Sequence, residues 1–495
     1  DRSPSRGLGD VYKRQEFIRR VYLDVVGMLP TPEETMVFLA DTSDTKRDDL
    51  IEKLLAQPEF VDYWAYRLSD LFLIRSKKLR PQALKIYYDW LRGEIEKITP
   101  WDQLVRQVVA AKGDTLKNGA ANFYSIHQDP ETMAENVSQA FMSLSINCAK
   151  CHNHPLEKWT NDQYYSFANL FARVRAKGWG GDARSGDGAR TLFIADRGDL
   201  IQPRTGKPQP PAPLDGQAIA SDSTEDRREV LADWLTSPEN PYFTRSIANR
   251  VWANFFGRGI VEPVDDLRTS NPASNEPLLH AISEHLAKNN YDLKSLMRLI
   301  LRSETYRRSS TPLPENEGDQ KYYSRYYPRR LMAEVLQDAI TSVTRVSPKY
   351  NQITLSDGST QGTSLYREGT RALQLSDSAV TSYFLKTFGR NEREITCECE
   401  RSNKPSMVQV LHLSNGDTLN NNLRSQQSCV NTMITQDNDK IIEETYLLCL
   451  SRRPSDSERK RLKNIFEVAP ETERRGVVED LFWALMTSRE FLFQH

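Results

Sequence analysis

Net charge is nearly absent from this 495-residue chain: 66 basic residues stand against 67 acidic ones, leaving −1. That balance gives no electrostatic footprint for nucleic acid or for an anionic membrane surface. Long apolar runs are missing as well. None approaches the roughly 18 residues that a bilayer-spanning helix needs, so no transmembrane segment is expected. Six cysteines are too few for a disulfide-stapled scaffold at this length, and the fold must rest on apolar cores. No nucleophile elbow, phosphate-binding glycine loop or His-Glu-x-x-His helix occurs, which removes the sequence basis for a hydrolase or transferase. Residues 1–15 (DRSPSRGLGDVYKRQ) lack the apolar stretch of a signal peptide. They read as a non-native, adapter-derived tail of a metagenomic fragment, with the true start expected upstream. The missing leader is then silent about export.

What remains points to helices. At 38% hydrophobic and 27% charged, the composition fits a soluble globular chain long enough for two or more domains. Thr31, Pro32 and Glu34 make a capped helix start, and Leu50, Ile51, Leu54 and Leu55 recur at helical spacing before Pro58. Tyr63, Trp64, Leu68, Leu71 and Phe72, then Tyr87, Trp90, Leu91 and Ile95, form aromatic stripes read as helix core rather than cofactor wall. Met133, Val137, Phe141 and Leu144 share one face of a helix running from Pro130 to about Asn147, and Thr160 with Gln163 caps the next. Residues 176–223 change character, with Gly178, Gly180, Gly181, Gly186, Gly188 and a run of prolines, and carry one strand candidate at 191–194. Helices resume over 227–235, 243–256, 278–288, 293–301 and 330–344, and again over 441–450, 455–466 and 477–488. The expected fold is mainly α: a helical domain over 16–175, an irregular linker with short strands over 176–223, and a second helical domain over 224–495. A faint internal echo pairs Tyr22, Pro30, Thr31 and Glu34 with Tyr446, Pro454, Ser455 and Glu458 at the same offsets, read as a helix hairpin formed twice.

One short stretch carries chemistry: Cys148-Ala149-Lys150-Cys151-His152-Asn153-His154-Pro155. Two thiols three apart with a histidine directly after the second is the attachment pattern of a c-type haem. Each thiol adds to one porphyrin vinyl group, and the next imidazole becomes an axial iron ligand. Cys148, Cys151 and His152 are therefore the cofactor-binding candidates. Three alternatives stand beside haem: zinc held by the two thiols with His152 or His154, a dithiol redox pair, and a bare structural turn. A sixth ligand is hard to name. His154 lies too close to reach the opposite face of the same iron, the next methionine downstream is Met297, and His127, Met133 and Met142 would have to fold back. A five-coordinate site favours ligand binding over fast electron transfer. Phe141, Leu144, Trp159 and Phe167 are expected to screen the porphyrin edge. Cys397 and Cys399 form a second constellation, a soft-metal clamp or redox pair. The preferred reading pairs one or both with Cys429 or Cys449 in an oxidising compartment. Asp265, Asp266, Arg268, Arg329, Arg330 and Arg390 read as buried ion-pair material.

Several stretches together resemble a known family. Phe17-Ile18-Arg19-Arg20-Val21-Tyr22-Leu23-Asp24, Gly27 and Pro30-Thr31-Pro32-Glu33, with Cys148 to Trp159 (CAKCHNHPLEKW) and Tyr164-Tyr165, resemble the planctomycete cytochrome-like domain. Asn249-Arg250-Val251-Trp252, Gly257-Arg258-Gly259, Glu262 to Arg268 (EPVDDLR), Pro328-Arg329-Arg330-Leu331, Phe388-Gly389-Arg390, Cys397-Glu398-Cys399-Glu400-Arg401 and Leu411-His412-Leu413 resemble the partner domain that usually follows it. The resemblance implies an exported, periplasmic or cell-envelope protein carrying covalent haem, with an upstream cytochrome domain beyond this fragment and an unidentified redox partner. An electron carrier is expected over a catalyst. The alternative is a non-haem interaction module whose cysteine motif holds zinc or nothing.

Overall fold

The computed structural model describes residues 6–127, 129–178, 188–402 and 404–495. Gly180, Gly181 and Gly186 of the glycine-rich stretch, and residues 1–5 of the expected tail, lie outside the described residues. Helices make up 51% of the chain and short strands 5%, so the fold is mainly α.

Local sequence explains the helix boundaries. Pro32–Ala40 opens on a full capping box in which Thr31 and Glu34 satisfy each other's backbone N–H groups, with Pro32 at the first helical position. The helix Lys46–Leu55 stops before Pro58, and that proline then starts Pro58–Leu71. Pro58–Leu71 is buried nearly all round, which marks a central helix. Three of its polar side chains find distant partners. The Tyr63 hydroxyl donates to Asn254 Oδ1 (3.0 Å), the Tyr66 hydroxyl to Glu334 Oε1 (2.7 Å), and Asp70 accepts from Arg393 and Arg401.

Pro130–Met142 begins at Asp129, whose carboxylate accepts the Thr132 N–H (2.8 Å). It ends earlier than expected because Ser143 turns left-handed (φ 54°) and the Ser138 hydroxyl takes the Leu144 carbonyl (2.7 Å). Arg330 is likewise not helical. Arg329–Arg330 pairs antiparallel with Phe493–Gln494, and the helix starts only at Ala333 (Ala333–Thr344). The expected strand Thr191–Ile194 lies between Gly113–Asp114 and Val174–Lys177 in a three-stranded antiparallel sheet. Residues 350–375 contain a small hairpin, Gln352–Thr354 against Thr360–Gly362.

A single apolar cluster runs from Phe17 to Phe491 and takes in residues from both sides of the 176–223 segment. The first helix, Arg6–Val25, ties the two ends of the chain together. Arg19 donates to the carbonyls of Cys449 and Phe491, each at 2.9 Å. Of the arginines expected in ion pairs, Arg329 meets Asp24 and Arg268 meets Asp266. Arg390 and Arg330 reach backbone carbonyls, of Val380 (2.7 Å) and of Phe388 and Ser402 (2.8 and 2.7 Å) respectively, all within the 380–402 segment.

Candidate functional site

Cys148 lies in a 3-10 turn, Asn147–Lys150, and Cys151 follows it directly. Ala149 is fully buried and anchors the turn, while Cys148, Cys151 and His152 are all exposed and both thiols are free. The turn is clipped from outside by the next helix, Asn161–Ala168, which opens on the Thr160–Gln163 capping box. Asn161 Nδ2 donates to the carbonyls of Ala149 (2.8 Å) and Lys150 (2.9 Å), and its own N–H donates to Asn153 Oδ1 (3.0 Å). Gln202 in turn holds Asn161 Oδ1 at 2.6 Å. Lys150 faces Glu131 of the preceding helix at 3.8 Å. Sequence reasoning missed Asn161 and Asn153. The available signal was an asparagine directly after a capping threonine, within ten residues of the motif.

The two histidines differ in their attachments. His152 Nδ1 sits 2.7 Å from its neighbour's carbonyl, Asn153 O, which can only accept, so Nδ1 is the donor and Nε2 is the ring nitrogen left without that contact. His154 Nδ1 accepts the Leu156 N–H (3.2 Å), and its backbone N–H donates to the Trp159 carbonyl (2.8 Å), so it orders the loop. Among the described residues, no three His, Cys, Asp or Glu side chains are gathered in a set that could hold a metal ion.

The expected apolar screen is placed differently. Phe141, Leu144, Trp159 and Phe167 are wholly inside the core, where helix packing claims them, so they back the turn and present no face to a porphyrin. The sixth-ligand candidates are buried too: the upstream Met133 and Met142 and the downstream Met297 are at most 3% exposed. His127 is equally buried, its Nδ1 lies 3.5 Å from Asn136 Nδ2, and burial holds its pKa down at about 3. The structure brings none of these four to the motif's exposed side.

The other cysteines correct the expected pairing. Cys397 and Cys399 are bonded to each other across Glu398, while Cys429 and Cys449 are free and buried. The reason is location. Cys429 and Cys449 are sealed in the C-terminal helices, where burial pushes both thiols up, Cys429 to about 11. Cys397 caps, and Cys399 lies within, the 3-10 turn Glu398–Glu400 at the surface. That turn sits where the earlier and later halves of the chain meet. Arg67 pairs with Glu398 (2.8 Å), the Thr396 hydroxyl donates to Asn136 Oδ1 (2.8 Å), and Asp265 accepts the Glu398 N–H (3.0 Å).

The described helices include none long and apolar enough to cross a membrane. Two family models match the chain: PSCyt2, a protein of unknown function (DUF1549), over residues 8–176, and PSD1, a protein of unknown function (DUF1553), over residues 227–466. No curated protein and no solved structure matches it. The cysteine turn thus lies in the first matched segment and the Cys397–Cys399 turn in the second, and the chain belongs to the planctomycete PSCyt/PSD domain pair, whose two members are both of unknown function.

Proposed function

We propose that Cys148, Cys151 and His152 form the attachment site of a c-type haem carried at the surface of an exported redox protein. The observation that supports this most is the state of the turn: two free, exposed thiols bracket the buried Ala149, with an exposed imidazole directly after them. The donor set fits the group. Covalent attachment needs both thiols reachable within one turn, and iron ligation needs a neutral imidazole with one nitrogen open. The Nδ1 contact to the Asn153 carbonyl meets that second need by holding the tautomer. A bound haem supplies one-electron redox chemistry or binds a small ligand at the iron.

The chain's own residues do the positioning. Asn161 fixes the carbonyls of Ala149 and Lys150, so the spacing between the thiols is set before any attachment. Met133, Met142, Met297 and His127 are buried away from the turn, so of the ligand candidates His152 is the one that would hold the iron. Phe141, Leu144, Trp159 and Phe167 stay behind the turn, so a haem held by these residues would be open to solvent and to a partner protein. Zinc is the weaker reading, because His154 is occupied in ordering its loop. Covalent attachment takes place on the exported side of the membrane, so the reading also assigns the protein to the cell envelope.

The test is production alongside a c-type maturation system. A mass gain of one haem and a pyridine haemochrome spectrum are expected, both lost in the double variant Cys148→Ala, Cys151→Ala. Absence of the mass gain in wild-type protein sinks the proposal, and zinc analysis of the same sample then separates a metal site from a bare turn.

A further inference from the structure

We infer that Cys397–Cys399 is a thiol–disulfide exchange site for a dithiol co-reactant, rather than a staple of the fold. The bond spans a single residue, Glu398. Closing so short a loop removes little freedom from the unfolded chain, because that gain grows with loop length. Nor does the turn depend on the bond for its shape. Arg67 grips the Glu398 carboxylate, Asp265 takes the Glu398 N–H, and Thr396 is tied to Asn136. Two residues beyond Cys399, Arg401 is clamped by Asp70 (2.8 Å) and Glu334 (2.7 Å). These anchors flank both sulfurs and contain neither; the Cys399 N–H also donates to Cys397 Sγ (3.1 Å), a contact that the reduced sulfur can still accept. The dithiol form therefore keeps its two sulfurs side by side, ready to close again.

Access to the two sulfurs is unequal. Cys399 is exposed, whereas Cys397 is half-buried and lines a cavity of about 50 Å³ together with two guanidinium groups, Arg67 and Arg250, and two carboxylates, Glu398, which is paired with Arg67, and Asp70, which is paired with Arg393 and Arg401. Arg250 gives Nη2 to the Gln139 carbonyl (3.2 Å), and its Nε is buried with no hydrogen-bond partner among the described residues. Both carboxylates are already held by other arginines, so the Arg250 guanidinium on the same cavity wall is the charge that favours a thiolate at Cys397 and suits it as the leaving sulfur. The remaining cysteines do not share this arrangement: Cys429 and Cys449 are sealed, and Cys148 and Cys151 are not bonded.

The exchange follows from that asymmetry. A thiolate of the co-reactant attacks the Cys399 sulfur, a new S–S bond forms there, and the Cys397–Cys399 bond breaks. Its electron pair leaves on Cys397 as a thiolate facing the cavity that Arg250 lines. The co-reactant's second thiol gives up its proton to solvent and attacks the co-reactant's own sulfur in the mixed disulfide. Cys399 departs, and both protein sulfurs take up protons. Two electrons have moved, one disulfide has been reduced, and one dithiol oxidised. The reverse sequence oxidises the protein pair.

The folded full-length chain is treated with dithiothreitol, alkylated and mapped by peptide mass, so that any haem at Cys148 and Cys151 does not enter the readout. The peptide holding Cys397 and Cys399 is expected to gain two alkyl groups while the helical circular dichroism stays unchanged. Glutathione, which has one thiol, is expected to leave its adduct on Cys399. In Arg250→Gln, alkylation of Cys397 at neutral pH is expected to slow on the order of tenfold, with its pH profile moved upward. A bond that resists the dithiol in folded protein, a loss of helicity on reduction, an adduct on Cys397, or an unmoved Arg250→Gln profile each overturns the inference.

Discussion

Asp338 is the residue whose titration the fold changes most usefully for a test. It lies inside the helix Ala333–Thr344 and accepts the backbone N–H groups of Ala372 (2.6 Å) and Leu373 (3.2 Å). Burial pushes its carboxyl from the ordinary 3.8 to about 7, against the downward pull of those hydrogen bonds and of Arg371, while Glu334 pushes the same way as burial. A carboxyl held above its unfolded value binds its proton more tightly in the folded chain. The stability this contributes is fully present below about pH 3.8 and is lost as pH rises through about 7. The difference across that window is on the order of 4 kcal/mol. Asp338→Asn removes the titration while keeping an acceptor for the two N–H groups. Its urea midpoint relative to wild type is expected to improve between about pH 5 and about pH 8. Parallel midpoints at both pH values would show that the buried carboxyl does not govern this window. Nothing in the sequence around Asp338 signals this, because its burial and both hydrogen bonds depend on a turn more than thirty residues away. Asn161 was hidden for the opposite reason: it lies close by in sequence, but its role appears only once the cysteine turn bends back against it.

At the scale of elements, the weak echo between the two ends of the chain is a shared local geometry. Both copies close a full capping box, Thr31 with Glu34 and Ser455 with Glu458. In each, a tyrosine eight residues before the proline faces the capping glutamate: burial and then Glu34 push the Tyr22 hydroxyl up, and burial and then Glu458 push Tyr446 to about 12. The copies differ in what else holds the glutamate. Glu34 meets Lys53 (2.9 Å), whereas Glu458 takes both Nη atoms of Arg452 (2.9 and 3.0 Å), and that arginine also holds Glu490. A bidentate arginine outweighs a single exposed lysine contact. Glu34→Ala is therefore expected to cost about 1 kcal/mol, the usual value of a cap, and Glu458→Ala roughly twice that. Urea denaturation of the two variants checks the order, and equal losses would remove the arginine from the account. Such caps are what made the helices legible from sequence: Thr31, Thr160 and Ser455 all start helices, because a cap is written within four residues. Arg330 and the helix ending at Met142 were not legible, since a strand from the far end of the chain and a left-handed serine set those boundaries.

Across the whole molecule, the two matched segments meet on a buried charge network rather than a simple apolar seam. Asp70, on Pro58–Leu71, accepts from Arg393 Nε (2.9 Å) and Arg401 Nη2 (2.8 Å), and Arg401 Nη1 reaches Glu334 (2.7 Å), which also accepts from Tyr66. Burial alone pushes the Asp70 carboxyl up, but Arg401 and Arg393 outweigh it and hold it below the usual range. Glu334 behaves the same way, with Arg401 as its main counterweight. Arg401 thus neutralises one carboxylate from each side of the seam. Removing it leaves both buried and partly uncompensated, a loss of about 3–5 kcal/mol by the usual cost of breaking one partner of a buried pair. The penalty should be shared, because neither carboxylate can reach solvent without moving its own helix. In Arg401→Ala, amide exchange is therefore expected to rise together in Pro58–Leu71 and Ala333–Thr344, since both lose the same counter-charge. Exchange rising in Ala333–Thr344 alone would mean that Arg393 suffices for Asp70 and that Arg401 does not couple the two helices.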